Sequence, residues 1–234
     1  MSRIETLFNE PAGTGLSGAL NGFFNSWQAL STDPSSASAR SNVARSAQTL
    51  STGFKQIDGQ LSDMLKQTDD EVSQNSDKAN LLIKNIASVN GEIANAELGG
   101  IDRANGLRDR RGEMLKQLSE ILPIETSETS YKSSGQSEFS VQTGGMSIIS
   151  GKEFHQLKAL KTGQRDNLFF INSGGSLTDI TDSVKNALSG SMSALFAMRN
   201  TISQYRSKLD EIATGVINQV NLLHAKGMGL TGYS

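Results

Sequence analysis

The chain of 234 residues contains no cysteine, which excludes disulfides, thiolate metal sites and cysteine nucleophiles. It has only three prolines and two histidines, so histidine-based chemistry has few candidate residues. Aromatic residues make up 6% of the chain and hydrophobic residues 36%, which argues against a large aromatic core. This composition favours long, partly exposed helices over a compact enzyme body.

Long apolar runs and a strong charge of one sign are also missing. No run reaches the roughly 18 residues that a membrane-spanning helix needs. The first residues lack the basic and then apolar pattern of a secretory signal, so export would need another route or a signal outside this chain. With a formal net charge of −2, we expect neither nucleic acid nor a membrane as a partner.

Apolar spacing predicts two helices in the first hundred residues. The first covers about residues 16–30 and ends at the segment "STDPSS", which contains Pro34. A heptad-like seam then runs from Val43 to Ala96, with one skipped residue near Val72. A continuous helix of about 60 residues would be ~90 Å long. The polar residues 68–77 are either a solvated part of this helix or a break, and we expect continuity.

The periodicity changes twice in the second half of the chain. Residues 97–106 read as a turn, and a shorter helix from Leu107 to Ile121 should fold back on the preceding one before Pro123 stops it. Residues 124–183 show alternating patterns and Gly-Gly pairs, which predict mainly antiparallel strands. Helical spacing returns from Ser191 to about Ala225.

This order of elements predicts an α+β fold, namely an elongated bundle of long antiparallel helices with a small mainly-β domain inserted. The predicted domains are a discontinuous helical rod domain, residues 1–123 and 184–234, and an inserted β domain, residues 124–183.

The stretch "VNLLHAKGMGLTG", residues 220–232, carries three glycines close together. A phosphate-binding loop needs its glycines before a helix, where free amides face the anion. Here the glycines follow one, so we interpret Gly227 as the residue that closes the helix, with Lys226 at the negative end of its dipole.

No set of side chains predicts a catalytic, cofactor-binding or metal site. His224 and His155 have no partner at metal-ligand spacing, and no nucleophile or paired-carboxylate motif stands out. Arg108–Glu113 is either a solvated helix face with short-range ion pairs, which we favour, or an inter-subunit contact. Thr68–Val72 is read as a solvated face rather than a chelator. Trp27 is assigned to the core rather than to a ligand platform.

Three stretches together resemble one family, the flagellar hook-associated protein 1 family of the hook–filament junction. They are "FNEPAGTGLSGALNGFFNSWQALSTDPSSASAR" (residues 8–40), a Leu-x-Asp-x-Arg helix, and "LDEIATGVINQVNLLHAKGMGLTG" (residues 209–232). The matching helix residues are Leu107, Asp109, Arg111, Met114, Leu115, Leu118 and Ser119. Those of the last stretch are Asn221, His224, Gly227 and Gly232. The likeness covers both helical blocks.

The resemblance implies a structural subunit of the bacterial flagellum, without enzyme activity or cofactor. The implied partners are identical subunits in a tubular ring, the hook protein, the next junction protein on the filament side and an export chaperone. The implied location is extracellular, after type III export without a cleaved signal peptide. It also implies that this chain is a trimmed core fragment, lacking both terminal segments that form the inner tube and bind the chaperone, with Met1 an expression start.

Three alternatives stay open at this point. The chain could be flagellin or another flagellar axial protein. It could be a secreted coiled-coil adhesin or effector that binds a ligand between its helices and its β domain. An enzyme is the third alternative, and it would require a cleft with converging titratable groups.

Overall fold

The computed structural model describes residues 15–98, 103–130, 137–163 and 165–226. The helices in these ranges are α1 (Gly15–Thr32), α2 (Ala37–Ala96), α3 (Asn105–Ile121), α4 (Thr181–Asn186) and α5 (Gly190–Lys226). The strands are β1 (Glu125–Ser130), β2 (Ser137–Thr143), β3 (Met146–Ser150), β4 (Glu153–Phe154), β5 (Gln156–Thr162), β6 (Arg165–Ile171) and β7 (Leu177–Asp179).

The predicted long helix is confirmed as α2, which has 60 residues and continues through residues 68–77 without a break. It begins at Ala37, before the apolar seam starts at Val43. Ser36 explains this early start, because its Oγ accepts a hydrogen bond from the Ala39 amide at 3.2 Å. A serine at this position satisfies one of the free amides of the first turn.

The prediction that the shorter helix folds back on the long helix is also confirmed. Arg111 of α3 donates to the side chain of Asn90 of α2, with 3.1 Å between Nη1 and Oδ1. Leu118, which has no exposed surface, belongs to the same core as Ile83 and Ile86 of α2. The helix ends at Ile121 because Leu122 takes the extended backbone conformation that a following proline imposes.

The strands predicted within residues 124–183 form two antiparallel sheets, with the orders β1-β2-β3-β4 and β5-β6-β7. Strands β2 and β3 are joined by Gly144 and Gly145, whose φ angles are +57° and +80°. Two consecutive positive φ angles suit a tight hairpin turn, and glycine adopts them without steric cost. The predicted α+β class, with a helical bundle and antiparallel sheets, is therefore confirmed.

The chain divides into two compact units, residues 1–65 with 200–234 and residues 66–199. We call them the first and the second unit. Both α2 and α5 contribute residues to each unit. This division differs from the predicted boundaries at 123/124 and 183/184, because the strands share one core with helical residues. The predicted division into a helical rod domain and an inserted β domain of residues 124–183 is a different question from this grouping into units, and it stays a prediction.

One apolar core holds the second unit together. It joins one face of α2, the end of α3, inward residues of the strands, α4 and the start of α5. Its fully buried members include Val72, Ile83, Ile86, Leu118, Val141, Ile148, Leu168, Val184 and Met192. The two sheets therefore pack on a helical base and are stabilised by apolar burial.

Two asparagines of α2 bind the strand region through backbone groups. The Asn80 side chain both accepts from the Leu157 amide at 2.8 Å and donates to the Leu157 carbonyl at 2.7 Å. Asn90 donates to the Gly151 carbonyl at 2.9 Å. Because a side-chain amide offers the same donor and acceptor as a peptide group, Asn80 pairs with β5 as a neighbouring strand would.

Gly190, the first residue of α5, should be the least replaceable glycine of the second unit. Its φ is +76°, and an added Cβ would lie 2.7 Å from the Ile121 carbonyl oxygen. We expect Gly190→Ala to lower the free energy of unfolding by about 1–2 kcal/mol through backbone strain. Overpacking against that backbone should remove about 1–3 kcal/mol more. Urea denaturation would measure both losses.

The control is Gly145→Ala, which also has positive φ but nothing within 4 Å of the added Cβ. It should lose only the strain energy. Equal losses in the two variants would show that the contact with Ile121 has no effect.

Candidate functional site

One cluster of charges lies where α3 meets the end of α2 and strand β1. Arg108 pairs with Glu97, with 2.7 Å between Nη2 and Oε2, and with Glu128, with 2.9 Å between Nη1 and Oε1. Glu97 Oε1 also accepts from Arg108 Nε at 2.8 Å and from the Ala104 amide at 2.9 Å. The bidentate pair of Arg108 with Glu97 fixes the geometry of the contact as well as adding energy. Together with the bond to Glu128, it connects α3 to the end of α2 and to β1.

Arg111 extends this cluster into the core, and only 7% of its surface is exposed. Its Cζ lies 3.9 Å from the centre of the Phe139 ring, a cation–π contact. Its Nη2 is 3.5 Å from Glu128 Oε2. The interpretation of Arg108–Glu113 as a solvated face is therefore wrong for Arg108 and Arg111, and the proposed inter-subunit contact of this segment stays a prediction.

Hydrogen bonding to Arg108 lowers the pKa of Glu97 from 4.5 to about 2 and outweighs the opposing effect of burial. The folded state therefore binds the proton of Glu97 less readily than the unfolded state does. Its stabilising contribution is present above pH 4.5 and is lost as the pH falls toward 2.

A second buried ion pair joins α2 and α5. Arg199 Nε lies 3.0 Å from Asp69 Oδ1, and both side chains are largely buried, at 4% and 13% exposed. Arg199 Nη1 donates to the Asp166 carbonyl, whereas Nη2 has no hydrogen-bond partner in the described structure. The solvated-face interpretation of Thr68–Val72 is thus wrong for Asp69, and also for the buried Thr68 and Val72.

Burial raises the pKa of Asp69 above its ordinary value of 3.8, although the positive charge of Arg199 opposes the shift. The dependence of stability on pH therefore has the opposite sign for Asp69 from that for Glu97. Its contribution to stability is fully present below pH 3.8 and falls as the pH rises through the folded-state pKa. The pair therefore carries a desolvation cost at neutral pH.

The other residues singled out in the sequence take separate, structural positions. His155 Nε2 lies 3.0 Å from Ser173 Oγ, and its ring packs on Phe170 at 5.0 Å. His224 is exposed on α5. Trp27 is half-buried and packs edge-on against Phe23. Gly227 lies outside the described residues. Within the described ranges, no three carboxylates or histidines are placed to hold a metal ion.

The first unit carries a surface without charge, which we call the uncharged face. It consists of α1 and residues 212–225 of α5, and neither segment contains Asp, Glu, Lys or Arg. An apolar groove lies along it between α1, α2 and α5. The groove is lined mainly by apolar residues, which include Phe23, Leu50, Phe54, Val216, Ile217 and Val220, and also by Lys55.

Burial along α5 ends before the apolar pattern does. Leu209 is 4% exposed, but no residue from Asp210 to Lys226 is buried. Apolar residues nevertheless continue to Leu223, with Ile217 at 58%, Leu222 at 51% and Leu223 at 66% exposed. This exposed apolar surface was not predicted, although the absence of charge over 14 helical residues of α5 is a signal visible in the sequence.

No described helix is long and apolar enough to cross a bilayer.

The fold and these surfaces define a class of α+β protein in which long helices carry two small antiparallel sheets. Within that class, the family model for the flagellar hook-associated protein FlgK helical domain matches residues 1–234. The chain belongs to this family, and the sequence resemblance is confirmed.

Individual relatives agree with this assignment. Flagellar hook-associated protein 1 of Salmonella typhimurium is 26% identical over 237 residues, covering 99% of this chain and 42% of the relative. The protein of the same name in Bacillus subtilis is 33% identical over 148 residues, covering 63% of this chain and 28% of the relative. The chain thus spans less than half the length of these relatives.

A solved structure shares the fold. The flagellar hook junction protein FlgK from Burkholderia pseudomallei superposes with a TM-score of 0.71 at 19% identity. The match covers 85% of this chain and 35% of that one.

Glu97→Gln should change how stability depends on pH. Because the wild-type carboxylate loses its stabilising effect between pH 4.5 and about 2, the variant should be less stable at pH 7 and should show a flatter profile over this window. Chemical denaturation at several pH values would measure the profile. Glu120→Gln, at an exposed position of α3, is the control and should follow the wild type.

Arg199→Met should be strongly destabilising, by about 3–5 kcal/mol, because Asp69 would stay buried without its counter-charge. Adding Asp69→Leu should restore much of that loss, since it removes the uncompensated charge. The measurement is a double-mutant cycle by urea denaturation. Additive losses would mean that the two side chains do not interact.

Proposed function

We propose that the protein is a structural subunit of the bacterial flagellum and forms the junction between hook and filament. The observation that supports this role most strongly is the family match over residues 1–234. The relatives carry the name flagellar hook-associated protein 1, and the structural neighbour is described as a hook junction protein.

In this proposal the subunit works as an adaptor. Identical copies form a tubular ring, one end of which meets the hook protein while the other meets the next junction protein on the filament side. Head-to-tail contacts between identical subunits generate closed rings when the rotation closes. An export chaperone binds terminal segments of the whole protein.

The remaining parts of the proposal concern location and chemistry. The protein acts outside the cell, after passage through the flagellar exporter without a cleaved signal peptide. It is not an enzyme. A chain without cysteine is suited to passing unfolded through a narrow channel, because no disulfide can form beforehand. The helical rod domain, residues 1–123 and 184–234, forms the wall, and residues 124–183 face outward.

Gene deletion in the source bacterium tests this function. We expect cells that keep their hooks but lack filaments, because nothing would join the two, and electron microscopy of the cell surface would show it. Supplying the full-length gene should restore filaments, whereas a copy interrupted by an early stop codon should not.

Other outcomes would contradict the junction role. Restoration of filaments by flagellin alone would favour another axial protein. Intact motility with lost attachment to a host or ligand would favour an adhesin.

A further inference from the structure

Three asparagines of this chain are followed directly by glycine, namely Asn21, Asn90 and Asn105. In an Asn-Gly pair the amide nitrogen of the glycine can attack the side-chain carbonyl carbon of the asparagine, because a glycine has no Cβ to hinder the backbone rotation that brings the two atoms together. The three pairs have the same local chemistry. In the native protein, the fold therefore decides which of them can react.

The pair at Asn90 is protected by burial and by hydrogen bonds. Asn90 is 6% exposed. Its Nδ2 donates to the Gly151 carbonyl at 2.9 Å, and its Oδ1 accepts from Arg111 Nη1 at 3.1 Å. Gly91 lies in the interior of α2, where a backbone amide bonds to the carbonyl of the preceding turn. Both reacting groups of this pair are therefore held in place.

The pair at Asn21 is exposed but lies within a continuous helix. Asn21 and Gly22 are both exposed. Gly22 lies beyond the first turn of α1, so its amide takes part in the helical hydrogen bonds. Phe23, the next residue, is buried at 4% exposed. Ring closure at Asn21 would thus require α1 to unwind on both sides of the pair and to displace a core residue.

The pair at Asn105 has neither protection. Asn105 and Gly106 are exposed and are the first two residues of α3. The amides of a first helical turn have no partner within the helix, and helix ends open at a lower free energy than helix interiors. A Cβ added to Gly106 would meet nothing within 4 Å, so this side of the pair is open to water.

We propose that Asn105 is a site of spontaneous chemical modification in the native protein, with water as the only co-reactant, and that its conversion products accumulate as the protein ages. The site is independent of the flagellar role, because every folded copy of the chain carries it.

The reaction has two steps. The Gly106 amide nitrogen loses its proton and forms a bond to Cγ of Asn105, while the side-chain nitrogen takes up that proton and leaves as ammonia. The product is a five-membered succinimide ring. Water then adds to one of the two ring carbonyls and the adjoining C–N bond breaks. Opening at Cγ gives aspartate, whereas opening at the backbone carbonyl gives isoaspartate, in which the main chain runs through the former side chain.

The two products should affect the start of α3 differently. The Ala104 carbonyl accepts from the amides of Leu107 and Arg108, both at 3.0 Å, and the Ala104 amide donates to Glu97 at 2.9 Å. Isoaspartate at position 105 adds a carbon to the main chain between these groups, so the bonds of the first turn should be lost. Aspartate keeps the normal main chain. It also places a negative charge at the positive end of the helix dipole, where the first turn of α3 has no acidic residue.

Peptide mapping by mass spectrometry, on the purified chain stored in mildly alkaline buffer, tests the site. In the folded chain, conversion at Asn105 should be at least about tenfold faster than at Asn21 or Asn90, because the latter two require opening of a helix interior. In urea the three asparagines should convert at similar rates, since only the fold distinguishes them.

Gly106→Ala is the matched variant, because its added methyl group has free space and the fold should be retained. It should slow conversion at Asn105 by about tenfold or more, since a Cβ hinders the backbone rotation needed for ring closure. Gly22→Ala, whose methyl group also meets nothing within 4 Å, should leave the rate at Asn105 unchanged.

Urea denaturation of the separated products tests the structural consequence. The isoaspartate fraction, identified by electron-transfer fragmentation of its peptide, should unfold at a lower urea concentration than the unmodified chain. Asn105→Asp reproduces the other product and should unfold at the same or a higher concentration.

Several results would overturn the proposal. Equal rates at Asn105 and Asn21 in the folded chain, or a preference for Asn105 that persists in urea, would show that the fold does not select the site. An unchanged Asn105 in the folded chain, while the unfolded chain converts, would exclude the site itself. Equal stability of the isoaspartate fraction and Asn105→Asp would exclude the effect on α3.

Discussion

The second unit depends on the way in which α2 serves as a base for two sheets. One face of this helix supplies the apolar core, and two of its asparagines bond to backbone groups of the strand region. Apolar contact alone is non-directional, so it would allow the sheets to slide. The paired hydrogen bonds of Asn80 to Leu157 have fixed geometry, and they therefore set where β5 lies on the helix.

Much of this architecture is legible in the sequence because the signals are local. Apolar spacing identifies α1, α2 and α5, and alternation identifies the strands. The start of α2 at Ala37 is different, since residues 37–42 carry no apolar period and the helix begins there through the side chain of Ser36. How α2 and α5 divide between two compact units depends on contacts that no local pattern encodes.

The charged residues were harder to interpret for the same reason. On a helix, neighbours three or four positions away suggest exposed ion pairs of small energy. Arg108 and Arg199 instead use Glu97, Glu128 and Asp69, which are brought close only by the fold. In the sequence, a charged residue on the buried side of a helix cannot be distinguished from one on the solvent-exposed side. The uncharged face is signalled in the sequence only by an absence, since α1 and residues 212–225 contain no Asp, Glu, Lys or Arg.

Asp69 and Glu97 have displaced pKa values of opposite sign within the same unit. When protons are added, the first carboxyl favours the native form while the second favours unfolding, and their titration ranges adjoin near pH 4. The two linkages partly cancel. Acidification thus removes less stability from this unit than the Glu97 carboxyl alone would, because Asp69 moderates the response of the unit to acid.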